Sequence, residues 1–179
     1  MAIQIYILSK LMKDNSYPYK LKKELSEPIP LDKLGGLTES KLYYHFETLA
    51  KKGLIESFET IKEENRPDKQ VFAITAKGRE ELPKKIYQLF ETADTISEML
   101  VGIASIEYVE RDKVVEILEK KLDNYIERWE QITNYDTHVQ VGNDKEKLLE
   151  LIGGYMETKV EHATFWLKEL IKRIQQNEI

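Results

Sequence analysis

Residues 38–56 read TESKLYYHFETLAKKGLIE, and the fold of the chain is decided by how this stretch is read. Leu42, Phe46 and Leu49 recur at intervals of four and three, which places them on one face of a helix. Thr38 is a helix-capping residue and Glu39 suits the positive end of the helix dipole. The Lys51–Lys52 pair followed by Gly53 is the chemistry of a helix C-terminus. With the apolar positions turned inward, Thr38, Lys41, Tyr44, His45 and Thr48 lie on or beside the outer face, and Tyr43 sits at its edge. Hydroxyls, a cation and aromatic rings on a short helix suit a helix laid against nucleic acid. The plain alternative is a solvated face.

Downstream, LIESFETI (54–61) and QVFAIT (70–75) are strand-like, and the second alternates Val71, Ala73 and Thr75 against Phe72 and Ile74. The polar KEENRPDK between them reads as a hairpin loop longer than a tight turn. Upstream, Ile3, Ile7 and Leu11 fall four apart, with Ile5, Leu8 and Met12 widening the stripe. YPYKLKKEL starts a second short helix, with Pro18 tolerated in its first turn. SEPIPLDKLGG is a connector, because two prolines and two glycines do not sustain a regular element. Three helices followed by a two-stranded hairpin spell a winged helix-turn-helix. A further helix then carries Leu82, Ile86 and Leu89, with Pro83 as a bend or restart point.

The C-terminal half differs in kind. Val114, Leu118, Leu122, Tyr125, Trp129 and Ile132 follow helical spacing. Asn143 and Glu146 have the spacing of a capping box for a last helix. That helix carries the stripe Leu149, Ile152, Met156, Val160, Ala163, Leu167, Leu170 and Ile174, flanked by Leu148, Leu151, Tyr155 and Trp166. One helical hairpin does not easily bury two apolar faces, so packing across a dimer is expected, with packing on the winged domain as the alternative. The expected fold is mostly α: a winged helix-turn-helix domain with a two-stranded wing over residues 1–92, then a helical dimerisation domain over 93–179.

The composition agrees with such a chain. Of 179 residues, 41% are hydrophobic and 33% charged, with 5 Pro and 8 Gly, as in a helix-rich globular protein. No apolar run approaches the roughly 20 residues that span a bilayer. The opening MAIQIYILSKLMKD lacks a basic leader region and a small-residue cleavage site, so a cytoplasmic location is expected. Cysteine is absent, which excludes disulfides and thiolate metal sites. The net charge of -5 divides unevenly: residues 1–95 carry 16 basic and 15 acidic side chains, and the remainder 11 and 17. A weakly basic front permits DNA binding, where local patches outweigh the global sum.

Enzymatic readings find little. His45, His138 and His162 are the only histidines, none in a metal-ligating pattern, and the chain has no GxGxxG, P-loop or GxSxG. No catalytic residue, metal or cofactor is expected. In a helix-turn-helix, the start of the second helix enters the major groove. Thr38, Ser40 and Lys41 stand there and can meet base edges or phosphates. Tyr43 and Tyr44 follow, and Lys62, Arg66 and Lys69 in the hairpin loop can straddle the neighbouring backbone. Lys22 adds charge on the second helix.

These stretches resemble the PadR family of bacterial transcriptional regulators. The resemblance runs through Leu42–Tyr43, Leu49, Gly53–Leu54–Ile55, Arg66–Pro67, Lys69, Thr75 and Gly78–Arg79. Tyr19 in YPYKLKKEL matches the tyrosine of a His-Gly-Tyr-Glu-like stretch. The likeness is close over about residues 2–90, and residues 100–176 resemble a long helical dimerisation domain. It implies a homodimeric repressor of a palindromic operator in double-stranded DNA, with Tyr19 among the contacts. It also implies release by a small aromatic or apolar effector, for which Trp129 and Trp166 are the candidate contacts. Three positions depart from the family pattern: Tyr44 stands for a proline, Pro18 for a glycine and Lys41 for a small residue. The second functional reading is a ligand-sensing or protein-interaction module without sequence-specific DNA binding.

Overall fold

The structure, a computed structural model, describes residues 1–25, 31–34, 41–62, 68–136 and 146–179. Helices α1 (Ala2–Lys13), α2 (Pro18–Glu24), α3 (Leu31–Leu34) and α4 (Leu42–Lys51) lead into an antiparallel pair, β1 (Ile55–Ile61) and β2 (Lys69–Ile74). Helices α5 (Ala76–Thr92) and α6 (Ile96–Ile103) and a 3-10 turn (Ile106–Tyr108) complete a first unit, Met1–Glu110. Helices α7 (Arg111–Asp136) and α8 (Glu146–Gln175) form a second, Arg111–Ile179. The fold is the mostly helical one that the periodicity predicts, with a winged helix-turn-helix at the front.

Helix α1 is the hub of the first unit. Ile3, Ile5, Tyr6, Ile7, Leu8 and Leu11 are all buried, because α4, α5, α6 and β2 each pack against it. Tyr6 is buried too, which the sequence pattern does not reveal; its hydroxyl donates to the Leu21 carbonyl at 2.9 Å. That bond satisfies a polar atom that would otherwise cost stability inside the core.

The winged hairpin is anchored at one end and free at the other. Ile55 is buried, but every later residue of β1 is exposed. In β2, Val71, Phe72 and Ile74 are all buried, so alternation fails there; the Phe72 ring sits 5.2 Å from Phe46 of α4. The register pairs Ile55 with Ile74 and Ile61 with Lys69, with an irregularity between Ser57 and Glu59. On its other edge β2 meets Ser16, whose N–H donates to the Phe72 carbonyl at 3.1 Å and whose carbonyl accepts from the Phe72 N–H at 2.8 Å.

The junction between α4, β1 and α5 is tied by a small set of bonds. Gly53 ends α4 at φ +68, the left-handed value a glycine takes without strain. The Thr75 hydroxyl caps α5 by accepting from the Gly78 N–H at 3.0 Å and donates to the Gly53 carbonyl at 2.7 Å. Lys77 reaches the Lys52 carbonyl at 2.9 Å. Helix α5 then runs on through Pro83.

The two compact units divide after Glu110. Helix α6 returns onto α5 and α1 and opens with a capping box, Thr95 with Glu98. Gly102 comes so close to α5 that an added Cβ would stand 3.1 Å from the Phe90 ring.

In the second unit α7 and α8 pair as a hairpin, burying Val114, Leu118, Leu167, Leu170, Ile171 and Ile174. The Arg111 Nε donates to the Ile179 carbonyl at 3.2 Å. Only the later part of the α8 stripe is buried; Leu149, Ile152 and Met156 remain exposed, as do Leu148, Leu151 and Tyr155. The Ile132 side chain and Asn143 lie outside the described residues. Among the described residues, no helix is long and apolar enough to cross a membrane.

Candidate nucleic-acid interface

Helix α4 buries Leu42, Phe46 and Leu49 and turns Lys41, Tyr43, Tyr44 and Glu47 outward. Lys41 occupies the cap position without a side-chain cap bond. Thr38, Ser40 and Arg66 lie outside the described residues. Two neighbours expected on the outer face behave otherwise. The Thr48 hydroxyl donates to the Tyr44 carbonyl at 2.8 Å, back onto its own helix. His45 is half-buried, its Nδ1 has no hydrogen-bond partner among the described residues, and its ring meets that of Tyr44 edge-on at 5.3 Å. Burial, then the N-terminal ammonium and Lys41, hold this imidazole below the ordinary histidine range.

A groove of about 670 Å³ opens between the start of α2, the front of α4 and the start of β2. Tyr17, Tyr19, Tyr43 and Lys69 are among the side chains that line it, with Phe46 and Phe72 at its floor. Three candidate residues from three separate elements, Tyr19, Tyr43 and Lys69, therefore converge on one surface. Proline at the first position of α2 starts that helix and sets Tyr19 at the groove. The Lys69 ammonium lies 5.6 Å from the centre of the Tyr17 ring, and that of Lys23 lies 4.8 Å from Tyr19. Such cation–π contacts hold long side chains near their place of use. The signal that could have found this cluster was the run of tyrosines and lysines at 17–23, but only the fold brings it beside α4.

The remaining candidates stand apart from the groove. Tyr44 and Lys41 share α4 with Tyr43 but do not line it. Lys62 follows β1 at the outer end of the hairpin and is exposed, and Lys22 on α2 is half-buried. The groove also carries Glu47 and Asp68, so its polarity is mixed and its hydroxyls matter as much as its charge. In the second unit Trp129 is half-buried, and Trp166 is exposed against the edges of Phe165 and His162. Neither indole lines the groove. Among the described residues no group of three or more His, Cys, Asp or Glu side chains could hold a metal ion.

Residues 7–84 match the family described as the Transcriptional regulator PadR-like family. No curated protein matches the chain. Among solved structures, the chain is 16% identical to Bacillus subtilis PadR in complex with operator DNA, covering 97% of this chain and 99% of that one at a TM-score of 0.45. A transcriptional regulator from Clostridium thermocellum is 29% identical over 48% of this chain and 79% of its own, with a TM-score of 0.41. A PadR family transcription regulator from Clostridium difficile is 25% identical over 49% and 86%, with a TM-score of 0.40.

Proposed function

We propose that the chain, whose residues 7–84 match the PadR-like family of transcriptional regulators, is a sequence-specific, dimeric DNA-binding repressor of a nearby promoter. The observation that carries this reading is the convergence of Tyr19, Tyr43 and Lys69 in one groove beside the exposed face of α4. In this reading Lys41, with Thr38 and Ser40 beside it, approaches base edges, and Tyr44 meets the duplex from the same helix. Tyr19, Tyr43 and Lys69 take phosphate, the tyrosines by hydroxyl and the lysine by charge. Lys62, Arg66 and Lys22 add further backbone contacts. Phosphate contacts set register and base contacts set preference, so the two groups serve different ends.

The dimer is formed by the second unit, and its two-fold symmetry calls for a palindromic operator. A small aromatic or apolar effector, bound near Trp129 or Trp166, releases the DNA; tryptophan emission during titration with phenolic acids and hydrophobic drugs tests that part. Action on DNA places the protein in the cytoplasm. A ligand-sensing module that does not bind DNA in a sequence-specific way is the second reading, favoured by Glu47 and Asp68 in the groove lining. Selection of DNA fragments by the purified protein decides between them. Enrichment of an inverted repeat supports the repressor, and recovery of unrelated fragments with equal affinity supports the alternative.

A further inference from the structure

Helix α4 carries a single acid, Glu47, and it stands where an acid is hardest to explain. Leu42, Phe46 and Leu49 point inward. At about 100° per residue, the middle of the opposite face falls between Tyr44 and Glu47. Glu47 is exposed, one turn beyond Tyr43, and lines the same groove as Tyr19, Tyr43 and Lys69. Three side chains assigned above to phosphate thus share their groove with a carboxylate, which phosphate repels.

The ordinary uses of a surface acid are not met at this position. Glu47 lies beyond the first turn of α4, so the helix dipole does not favour it. Lys51 stands four positions on, in the order that favours a helical ion pair, but the pair is not made. Among the described residues the Glu47 carboxylate has no hydrogen-bond or ion-pair partner. Thr48, its neighbour in sequence, spends its hydroxyl on the Tyr44 carbonyl. Asp68, the other acid of the groove, stands just before β2 and not on the helix that meets base edges.

We propose that Glu47 reads a base: its carboxylate accepts from the N4 amino group of a cytosine in the major groove and so sets preference at one operator position. The inference rests on the DNA-binding reading above, and makes Glu47 a specificity-determining residue within it. The edges that the bases present decide the choice. Guanine offers acceptors, and thymine an acceptor and a methyl group, so a carboxylate gains no bond from either. Adenine offers its amino group beside the N7 acceptor, which would face the second carboxylate oxygen. Cytosine offers the amino group alone. Over every site that lacks this donor the charge is repelled and left unpaired. Glu47 therefore widens the gap between right and wrong sequences from both sides.

Selection from a random duplex pool by the full chain, beside Glu47→Ala and Glu47→Gln, tests this once circular dichroism has shown each protein folded. The unaltered chain should select cytosine at one position of each half-site. Glu47→Ala should bind that site about tenfold more weakly and random duplex about twofold more tightly. Glu47→Gln should change the selected base at that position to adenine, whose N6 and N7 a glutamine amide matches, and leave the other positions as they were. If Glu47→Ala strengthens or leaves unchanged the binding of all duplexes alike, Glu47 reads no base. The same holds if Glu47→Gln selects the site of the unaltered chain. Either result overturns the inference and leaves the DNA-binding reading standing. An unaltered chain that selects no sequence overturns both.

Discussion

Gly78, in the first turn of α5, lies so close to the carbonyl of Leu54 that a Cβ added there would overlap the oxygen. The same carbonyl accepts from the Thr75 N–H at 3.1 Å, so it cannot turn aside without breaking its bond to the residue that caps α5. Gly78→Ala should therefore destabilise the first unit by about 3 kcal/mol, the upper end of the overpacking range. Urea unfolding measures it, and a change under about 1 kcal/mol would mean that the helix start can slide.

Thr75→Ala removes both the cap of α5 and the bond to Gly53. A loss of about 1–2 kcal/mol is expected. Thr75→Ser keeps the hydroxyl and should recover most of that loss.

On DNA, the groove and the start of α4 should behave differently. Tyr19→Phe and Tyr43→Phe should each cost about 1 kcal/mol on operator and random duplexes alike. Lys69→Ala should do the same and also flatten the log–log salt slope by about one. Lys41→Ala should cost roughly 1–3 kcal/mol on the operator and much less on random DNA. A salt series on both duplexes, after circular dichroism confirms folding, separates these outcomes. An unchanged slope for Lys69→Ala would remove the wing from the interface.

The depressed pKa of His45 sets a pH dependence of stability. In the unfolded chain a histidine titrates near about 6.5. As pH falls below that, the unfolded chain binds a proton that the folded chain refuses until its own lower value is reached. Stability is thus fully present above the unfolded value and declines with falling pH across that window. His45→Gln should flatten the decline just below pH 6.5 (the ordinary histidine value) in urea midpoints. Parallel profiles for the two proteins would assign the pH dependence to other groups.

The length of chain that folds by itself follows from α6. A protein ending at Glu110 keeps Met99, Val101 and Ile106 in the core, whereas one ending at residue 92 uncovers Leu89 and Phe90. The longer form should unfold cooperatively, and the shorter should melt lower and bind a hydrophobic dye. Equal melting temperatures would return the boundary to residue 92.

Much of this fold is legible in the sequence where local pattern and tertiary demand agree. Leu42, Phe46 and Leu49 on α4, and the two strands around the polar loop, are such cases. Gly53, Thr75 and Gly78 are legible as residue types with known uses, although only the fold shows that they tie one junction. The place of α6 was not legible, because eight residues with one capping box serve either unit equally well. Nor was the burial of His45, whose titration feels the N-terminal ammonium from far away in the sequence. The groove is tertiary in the same sense. Tyr19 and Lys69 are fifty positions apart in the chain, and no periodicity joins them.

The irregularity between Ser57 and Glu59 in β1 bears on how crowded solutions of this protein will behave. Among the described residues the outer side of β1 has no strand beside it, and Phe58 and Ile61 are exposed on it. A straight apolar edge of that kind invites strands from other molecules and is a starting point for aggregation. Here the ladder is broken in its middle, and Glu56 and Glu59 place like charges where an identical strand would have to align. The hairpin can project from the body of the unit without becoming a template for its own copies.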